Sequence, residues 1–288
     1  MNILAAVDWR NQSQSALQQV LGLYQPQVLT LVHAVDLGSL DSYPLVPLRD
    51  TESYHEFEQA KQRLLVKEER QLTQMAMRLQ PDVPSVKQVC EAGNPTRVIL
   101  HAIETTAADL VVVGKRGLGQ FTELAMGSVS HLVLLHAACA RLIVMGSPRT
   151  ASRVLVAVNG PDDAKRLQGW LLTYPFKRRL ELAVLNVVPT SEFESFQRAP
   201  SLDTWRQAAK KSAQELVDRM AAALNGPRYA ATGRVAAGDP ADVIAREVGM
   251  SDLLLVSSHG RTGVHRLMFG SVSHSLVHRV AGSVLVVP

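Results

Sequence analysis

Two glycine-led pairs, nine residues apart, mark the place where this chain could do chemistry: Gly114-Lys115-Arg116-Gly117, then Gly127-Ser128. A glycine at the end of an apolar run lets main chain approach a ligand where any Cβ would intrude. Gly114 ends such a run, and Gly117 is expected to supply a turn with positive φ. Gly127 and Ser128 read as the opening of a helix, with Val129 and Ser130 in its first turn. The free N–H groups and positive dipole end of a helix start suit an anion, above all a phosphate. Lys115 and Arg116 add positive charge to the same place, and Asp8 closes an earlier apolar run. The chemistry on offer is anion binding.

Taken singly, these features are ordinary, because turns need glycines and Gly-Ser is a common helix start. The loop is no Walker A motif, since GxxxxGK[ST] is missing, and Gly117-Leu118-Gly119 does not extend to GxGxxG. What raises the loop above the background is that it occurs twice. Gly127-Ser128-Val129-Ser130-His131 returns letter for letter as Gly270-Ser271-Val272-Ser273-His274, 143 residues later. The run from Asp109 to Gly114 is echoed at the same offset from Asp252 to Ser257. Upstream, Gly93-Asn94-Pro95 answers Gly238-Asp239-Pro240, and Ile3–Asp8 answers Val154–Asn159, with small shifts. Such drift is what loop insertions between two duplicates produce. The chain is expected to hold two copies of one domain, residues 1–147 and 150–288, joined at Gly146–Thr150 with Pro148 as punctuation.

The elements that must position the loop alternate between strand and helix. Ile3–Val7, Val28–Val35, Val86–Cys90, Leu110–Val113 and Leu142–Met145 are short, apolar on consecutive residues, and read as strands buried on both faces. Ser13–Leu23 reads as a helix with a capping serine, Tyr54–Leu79 as a long charged helix. Asn94-Pro95 opens a third with a cap and an N1 proline, and a fourth runs from Ser128 to His136. The second half repeats the scheme, with strands near Val154–Val158, Leu180–Val188, Tyr229–Ala236, Leu253–Val256 and Val284–Val287. Strand–helix–strand alternation with short connections demands right-handed crossovers and a parallel, doubly wound α/β sheet in each half. In such a sheet the first and fourth strands flank the ligand crevice. Asp8, the second strand's end near Ala34, and the loop from Gly114 to Ser130 should therefore converge. Residues 37–53 and 189–203 are the longest irregular segments.

Composition sets outer limits. At 288 residues and 47% hydrophobic there is apolar material for two cores. No apolar run reaches the 18 or so residues of a membrane span, and Asp8 comes too early for a signal peptide. Cys90 and Cys139 lie far apart and outside any CxxC, as buried thiols of a cytoplasmic protein would. The net charge of +4 divides into −2 for residues 1–146 and +6 for the remainder. The basic residues are scattered, with no aromatic-interleaved stretch, which argues against specific nucleic-acid binding. His274 and His278 stand one helical turn apart, a metal-capable spacing, but with no HExxH glutamate and no third ligand evident. His131 and His136 do not keep that spacing, and the histidines read as structural or surface groups. Asp109 and Asp252 read as turn residues or caps.

The spacing G-x2-G-x9-G-[ST], met in full by Gly114, Gly117, Gly127 and Ser128, resembles the nucleotide loop of the universal stress protein family. The opening Ile3–Asp8, the strand end His33-Ala34-Val35, the start Gly93-Asn94-Pro95 and the strand Leu142–Met145 are similar too, so the resemblance covers nearly the whole chain, twice. It implies two Rossmann-like five-stranded sheets, each in the order 3-2-1-4-5, and an ATP site. By that resemblance Asp8 and the Ala34 main chain hold the adenosine end and Gly114 lies near the ribose. Gly117, Gly127, Ser128, Val129 and Ser130 surround the phosphates, with room for a divalent metal such as Mg or Mn. It also implies that the two halves pair through their fifth strands as a pseudo-dimer, with a homodimer of chains as a further assembly. The second half departs from the pattern: Asn159 replaces Asp8's counterpart and Ser257 the first glycine, while Gly260, Gly270, Ser271 and Ser273 are kept. Three functions stay open: a non-enzymatic ATP-binding signalling module, a slow ATPase or adenylate-handling enzyme, and a scaffold independent of nucleotide. The HxGH and SGGxDS motifs of related adenylate enzymes do not occur.

Overall fold

The computed structural model describes residues 1–9, 11–37, 52–115, 126–146, 151–190, 202–258 and 270–288. Gly117 and Gly260, the junction around Pro148, and most of the two long irregular segments lie outside them.

The first half runs β1 (Asn2–Ala6), α1 (Asn11–Leu23), β2 (Val28–Val35), α2 (Glu52–Leu79), β3 (Val86–Ala92), α3 (Pro95–Thr106), β4 (Leu110–Gly114), α4 (Ser128–His136) and β5 (Ala140–Val144). The second runs β6 (Arg153–Ala157), α5 (Pro161–Thr173), β7 (Leu180–Val188), α6 (Leu202–Leu224), β8 (Tyr229–Ala237), α7 (Pro240–Glu247), β9 (Asp252–Ser257), α8 (Ser271–Arg279) and β10 (Ser283–Val287). Strands and helices fall where their apolar runs put them, with ends shifted by a residue or two. Helix α1 is the informative shift. It begins at Asn11, so Ser13 lies inside it rather than capping it, and the Ser13 hydroxyl accepts the Asp8 amide at 3.2 Å.

Each half is a parallel five-stranded sheet in the order 3-2-1-4-5, and the two halves fuse into one sheet of ten strands, β3-β2-β1-β4-β5-β10-β9-β6-β7-β8. The seam is antiparallel: β5 pairs with β10, setting Leu142 opposite Leu285. Both seam strands are buried throughout. A bare apolar edge exposes unpaired main-chain groups and invites pairing, and here each half blunts the edge of the other.

Two apolar layers sandwich the sheet, and both cross the seam. One lies under α1, α2, α5 and α6, with Leu17, Leu72, Leu142, Leu167, Val217 and Leu285. The other lies under α3, α4, α7 and α8, with Ile99, Val133, Ile143, Ile244, Leu276 and Val284. Burying one such side chain stabilises by roughly 1.5–3 kcal/mol, so a core shared across the seam strongly favours the fused form. Helix α3 starts as its sequence predicts: the Asn94 side chain accepts the Thr96 amide at 3.0 Å and the Arg97 amide at 3.3 Å, with Pro95 next. Gly93, at φ 145°, makes the turn into that cap, and Gly238, at φ 143°, does so before Asp239.

Candidate functional site

The parallel pairing of β1 with both β2 and β4 decides which residues meet. Ala5 lies between Leu31 and Val112, so the three strands end along one edge of the sheet. Just past that edge stand Asp8, partly exposed beyond β1, Ala34 near the end of β2, and Gly114, the last residue of β4. The chain leaves β1 towards β2 on one side, while β4 lies on the other. That reversal opens the crevice in which doubly wound sheets take their ligands.

The glycine loop is pinched at its base. Lys115 donates its amide to Val144 O at 2.9 Å, and Gly127 returns to donate to Lys115 O at 2.8 Å. The Ser130 hydroxyl donates to Gly114 O at 2.6 Å, which ties the first turn of α4 to the end of β4. Gly127 caps α4 in extended conformation and supplies no side-chain acceptor to the first-turn amides of Ser128, Val129 and Ser130. These amides are the donors that a phosphate would take. The structure adds a second reason for glycine at 114: a Cβ there would lie 3.3 Å from the main chain of Gln12 in α1.

A side-chain network beside Asp8 has no signal in the sequence. His33 donates Nδ1–H to Val7 O at 2.8 Å and turns Nε2 towards Glu68 Oε2, 3.6 Å away. Trp9 donates its indole N–H to the same carboxylate and lies 4.8 Å from the His33 ring, centroid to centroid. Trp9 holds φ 62°, a left-handed conformation uncommon for a bulky residue. The network fixes the main chain on both sides of Asp8. Its members come from β2, the β1–α1 turn and α2, so only the fold brings them together.

The second half keeps the frame and changes the polar groups. Gly270 donates to Ser258 O at 3.1 Å, and Ser273 Oγ to Ser257 O at 2.8 Å, repeating the pinch at the base of α8. Gly270 caps α8 without a side-chain acceptor, leaving the amide of Ser271 in the same setting as that of Ser128. Asn186 Nδ2 donates to Val158 O at 2.8 Å, the bond that His33 makes to Val7. The Asn159 amide goes to Asp163 Oδ2 at 2.9 Å, whereas the Asp8 amide goes to a serine hydroxyl. A carboxylate is therefore present on this side as well, displaced from the strand end to the first turn of α5.

The seam gathers three imidazoles. His131 of α4 meets His274 of α8 edge to face, ring centroids 5.5 Å apart, and lies 5.8 Å from His278. The His274 and His278 rings are 4.9 Å apart. The sequence offered no third partner for His274 and His278, because it lies 143 positions away and only strand pairing at the seam brings it in. Burial, then neighbouring imidazoles, hold His131 and His278 below the usual histidine range, with Lys115 adding to the effect on His278.

Asp109, just before β4, and Asp252, the first residue of β9, each tie main chain to side chain at the start of a fourth strand. Asp109 accepts the Asn2 amide at 2.7 Å and the Tyr174 hydroxyl at 2.8 Å, the latter from the other half. Asp252 accepts Arg153 at 2.6 Å and the Gly249 amide at 2.9 Å. No helix among the described residues is long and apolar enough to cross a membrane.

Comparison with known proteins agrees with the duplication. The Universal stress protein family model matches twice, over residues 1–147 and 150–288. A universal stress protein of Mycobacterium tuberculosis is 28% identical over 271 residues, covering 90% of this chain and 86% of its own. One from Mycolicibacterium smegmatis is 27% identical over 187 residues, 63% of this chain and 62% of the relative. A solved universal stress protein from Archaeoglobus fulgidus superposes with a TM-score of 0.61 at 18% identity, covering 99% of this chain and 95% of its own. At that identity the superposition speaks for the fold alone. With its sheet order and family match repeated in both halves, the chain belongs to the universal stress protein family as a tandem member.

Proposed function

We propose that this chain is an ATP-binding, non-enzymatic stress-signalling module whose nucleotide site lies in the first half. The observation that carries the reading is the convergence of Asp8, Ala34 and Gly114 at the switch point, beside an α4 start whose cap leaves its first amides without a side-chain acceptor. In this reading Asp8 and the Ala34 main chain take the adenosine end, and Gly114 lies along the ribose. The amides of Gly127, Ser128, Val129 and Ser130 meet the phosphates, with Gly117 in the loop between. The Ser130 hydroxyl, already donating to Gly114 O, shapes the loop rather than attacking a phosphate. A divalent Mg or Mn would ride on the phosphates: among the described residues the one cluster of three ligating side chains is imidazole, and those ions prefer oxygen. The protein's residues supply binding and orientation, and occupancy changes what the neighbouring surface presents to partners.

The second half reads as a scaffold with a lost or altered ligand. Asn159 and buried Ser257 stand at two of its binding positions, and Asp163 brings a carboxylate where the first half has a hydroxyl. Gly260, Gly270, Ser271 and Ser273 keep the outline of a loop.

The test is to purify the chain without added nucleotide, denature it, and identify what is released by mass spectrometry. An adenine nucleotide is expected, at no more than about one per chain. A chain that releases none, and binds none when ATP is then supplied, contradicts the proposal.

A further inference from the structure

The seam cluster does not enter the nucleotide reading. His131, His274 and His278 each offer one ring nitrogen, and these three atoms lie within 4.8 Å of one another. Two imidazoles come from consecutive turns of α8 and the third from α4, so the group bridges the two halves. His278 Nε2 is buried and makes no hydrogen bond to another described residue.

We infer that His131, His274 and His278 form a binding site for a divalent transition metal of the zinc type, which ties α4 to α8 across the seam. The chemistry is that of borderline-soft cations, which take neutral imidazole nitrogen at about 2.0–2.1 Å and accept three protein ligands with an open fourth position. Tetrahedral geometry at that bond length needs nitrogens roughly 3.4 Å apart, so binding draws the three ring nitrogens closer than the 4.8 Å within which they lie.

The sequence repeat explains why there are three ligands. His131 and His274 occupy equivalent positions in the two copies, 143 residues apart, and meet at the seam because β5 and β10 pair symmetrically there. The same offset from His278 leads to Leu135. A symmetric pair of helices would offer two imidazoles or four. The single asymmetric substitution gives three, which leaves one corner of a tetrahedron for water or another ligand. Lys115, close enough to His278 to affect its charge state, opposes a cation there and limits the affinity. Hard cations such as Mg and Ca prefer oxygen and are not the occupants.

The experiment uses the full chain, stripped with a chelator and dialysed, titrated with Zn²⁺ by calorimetry, with Co²⁺ absorption as an independent readout. About one zinc per chain is expected, together with a rise in melting temperature and a tetrahedral Co²⁺ spectrum. His131→Gln, His274→Gln and His278→Gln should each weaken zinc binding by at least about tenfold, the loss expected on removing one of three ligands. His136→Gln, on the exposed end of α4, should leave it unchanged. Circular dichroism identifies any variant that fails to fold, and the Co²⁺ spectrum of the unaltered chain decides without variants. No stoichiometric zinc, an octahedral Co²⁺ spectrum, or unchanged affinity in folded His278→Gln overturns the inference.

Discussion

Leu142 and Leu285, equivalent residues of the two copies, stand directly opposite each other in the β5–β10 ladder. In an antiparallel pair that is the position of a local twofold axis. The relationship shows that the tandem chain is a pseudo-dimer within itself, each half completing the other's sheet edge. Contacts off the sheet reinforce it: Lys177 donates its amide to Leu23 O at 2.8 Å, and Ser283 Oγ bonds Gln19 Oε1 at 2.7 Å.

Separated halves should therefore not remain monomeric. Residues 1–147 and 150–288 expressed apart are expected to self-associate through β5 or β10, or to aggregate. Sedimentation velocity checks this. Well-behaved monomers of each half at high concentration would contradict the seam's role.

Arg141 sits buried in β5 opposite Val286, with one guanidinium donor to Ala137 O. Its Nε and Nη1 meet no acceptor among the described residues, and burial depresses its pKa. Removing an uncompensated buried charge while keeping the aliphatic stem is neutral or stabilising. Arg141→Met is expected to change unfolding free energy in urea by between 0 and about +2 kcal/mol. A loss beyond about 1 kcal/mol would show a partner for the charge.

The cysteines should differ in reactivity. Burial pushes the Cys139 thiol up to about 11, while partly exposed Cys90 is raised by burial and by Glu69, Glu68 and Glu91. At pH 8 a disulfide reagent should label Cys90 first and Cys139 only on denaturation. Because the folded Cys139 pKa exceeds the unfolded one, its contribution to stability is complete at neutral pH. That contribution fades as pH rises from the ordinary thiol range towards about 11. Equal labelling rates in the native protein would contradict the burial of Cys139.

Much of this architecture was legible in the residues. Consecutive apolar runs fixed the strands, the 143-residue offset exposed the repeat, and Asn94-Pro95 marked a true helix start. The reading failed where local chemistry has two uses. Ser13 looks like a cap, yet it sits inside α1 and serves the Asp8 amide, because a serine hydroxyl satisfies either donor equally well. The His33–Glu68–Trp9 network and the three-histidine seam were invisible for another reason. Trp9 and Glu68 stand 24 and 35 positions from His33, and His131 stands 143 and 147 positions from His274 and His278, and no spacing rule spans a crossover or a seam.

The second half can be used to test the proposal that its pocket has lost or changed its ligand. Asn159→Asp with Ser257→Gly restores the carboxylate and the main-chain access, but sets a new charge beside Asp163, which accepts the residue 159 amide. Adding Asp163→Ser removes that repulsion. The triple variant should raise ATP stoichiometry from about one towards two per chain, the double variant less. A charged hydrogen bond is worth roughly 1.5–3 kcal/mol, so the second site should gain at least about tenfold in affinity. No gain in the folded triple variant would contradict the assignment of the difference between the halves to these residues.

The central claim is that ATP binds once, in the first half, at Asp8 and the Gly114–Ser130 loop. Calorimetric titration of the full chain with ATP tests it most directly, beside Asp8→Asn, which copies the second half's residue, and Gly117→Val, which puts a branched side chain into the proposed phosphate loop. The account predicts about one ATP per chain, at least about tenfold weaker in Asp8→Asn and lost in Gly117→Val. Two equivalent ATP molecules per wild-type chain, or unchanged affinity in both variants, would contradict it.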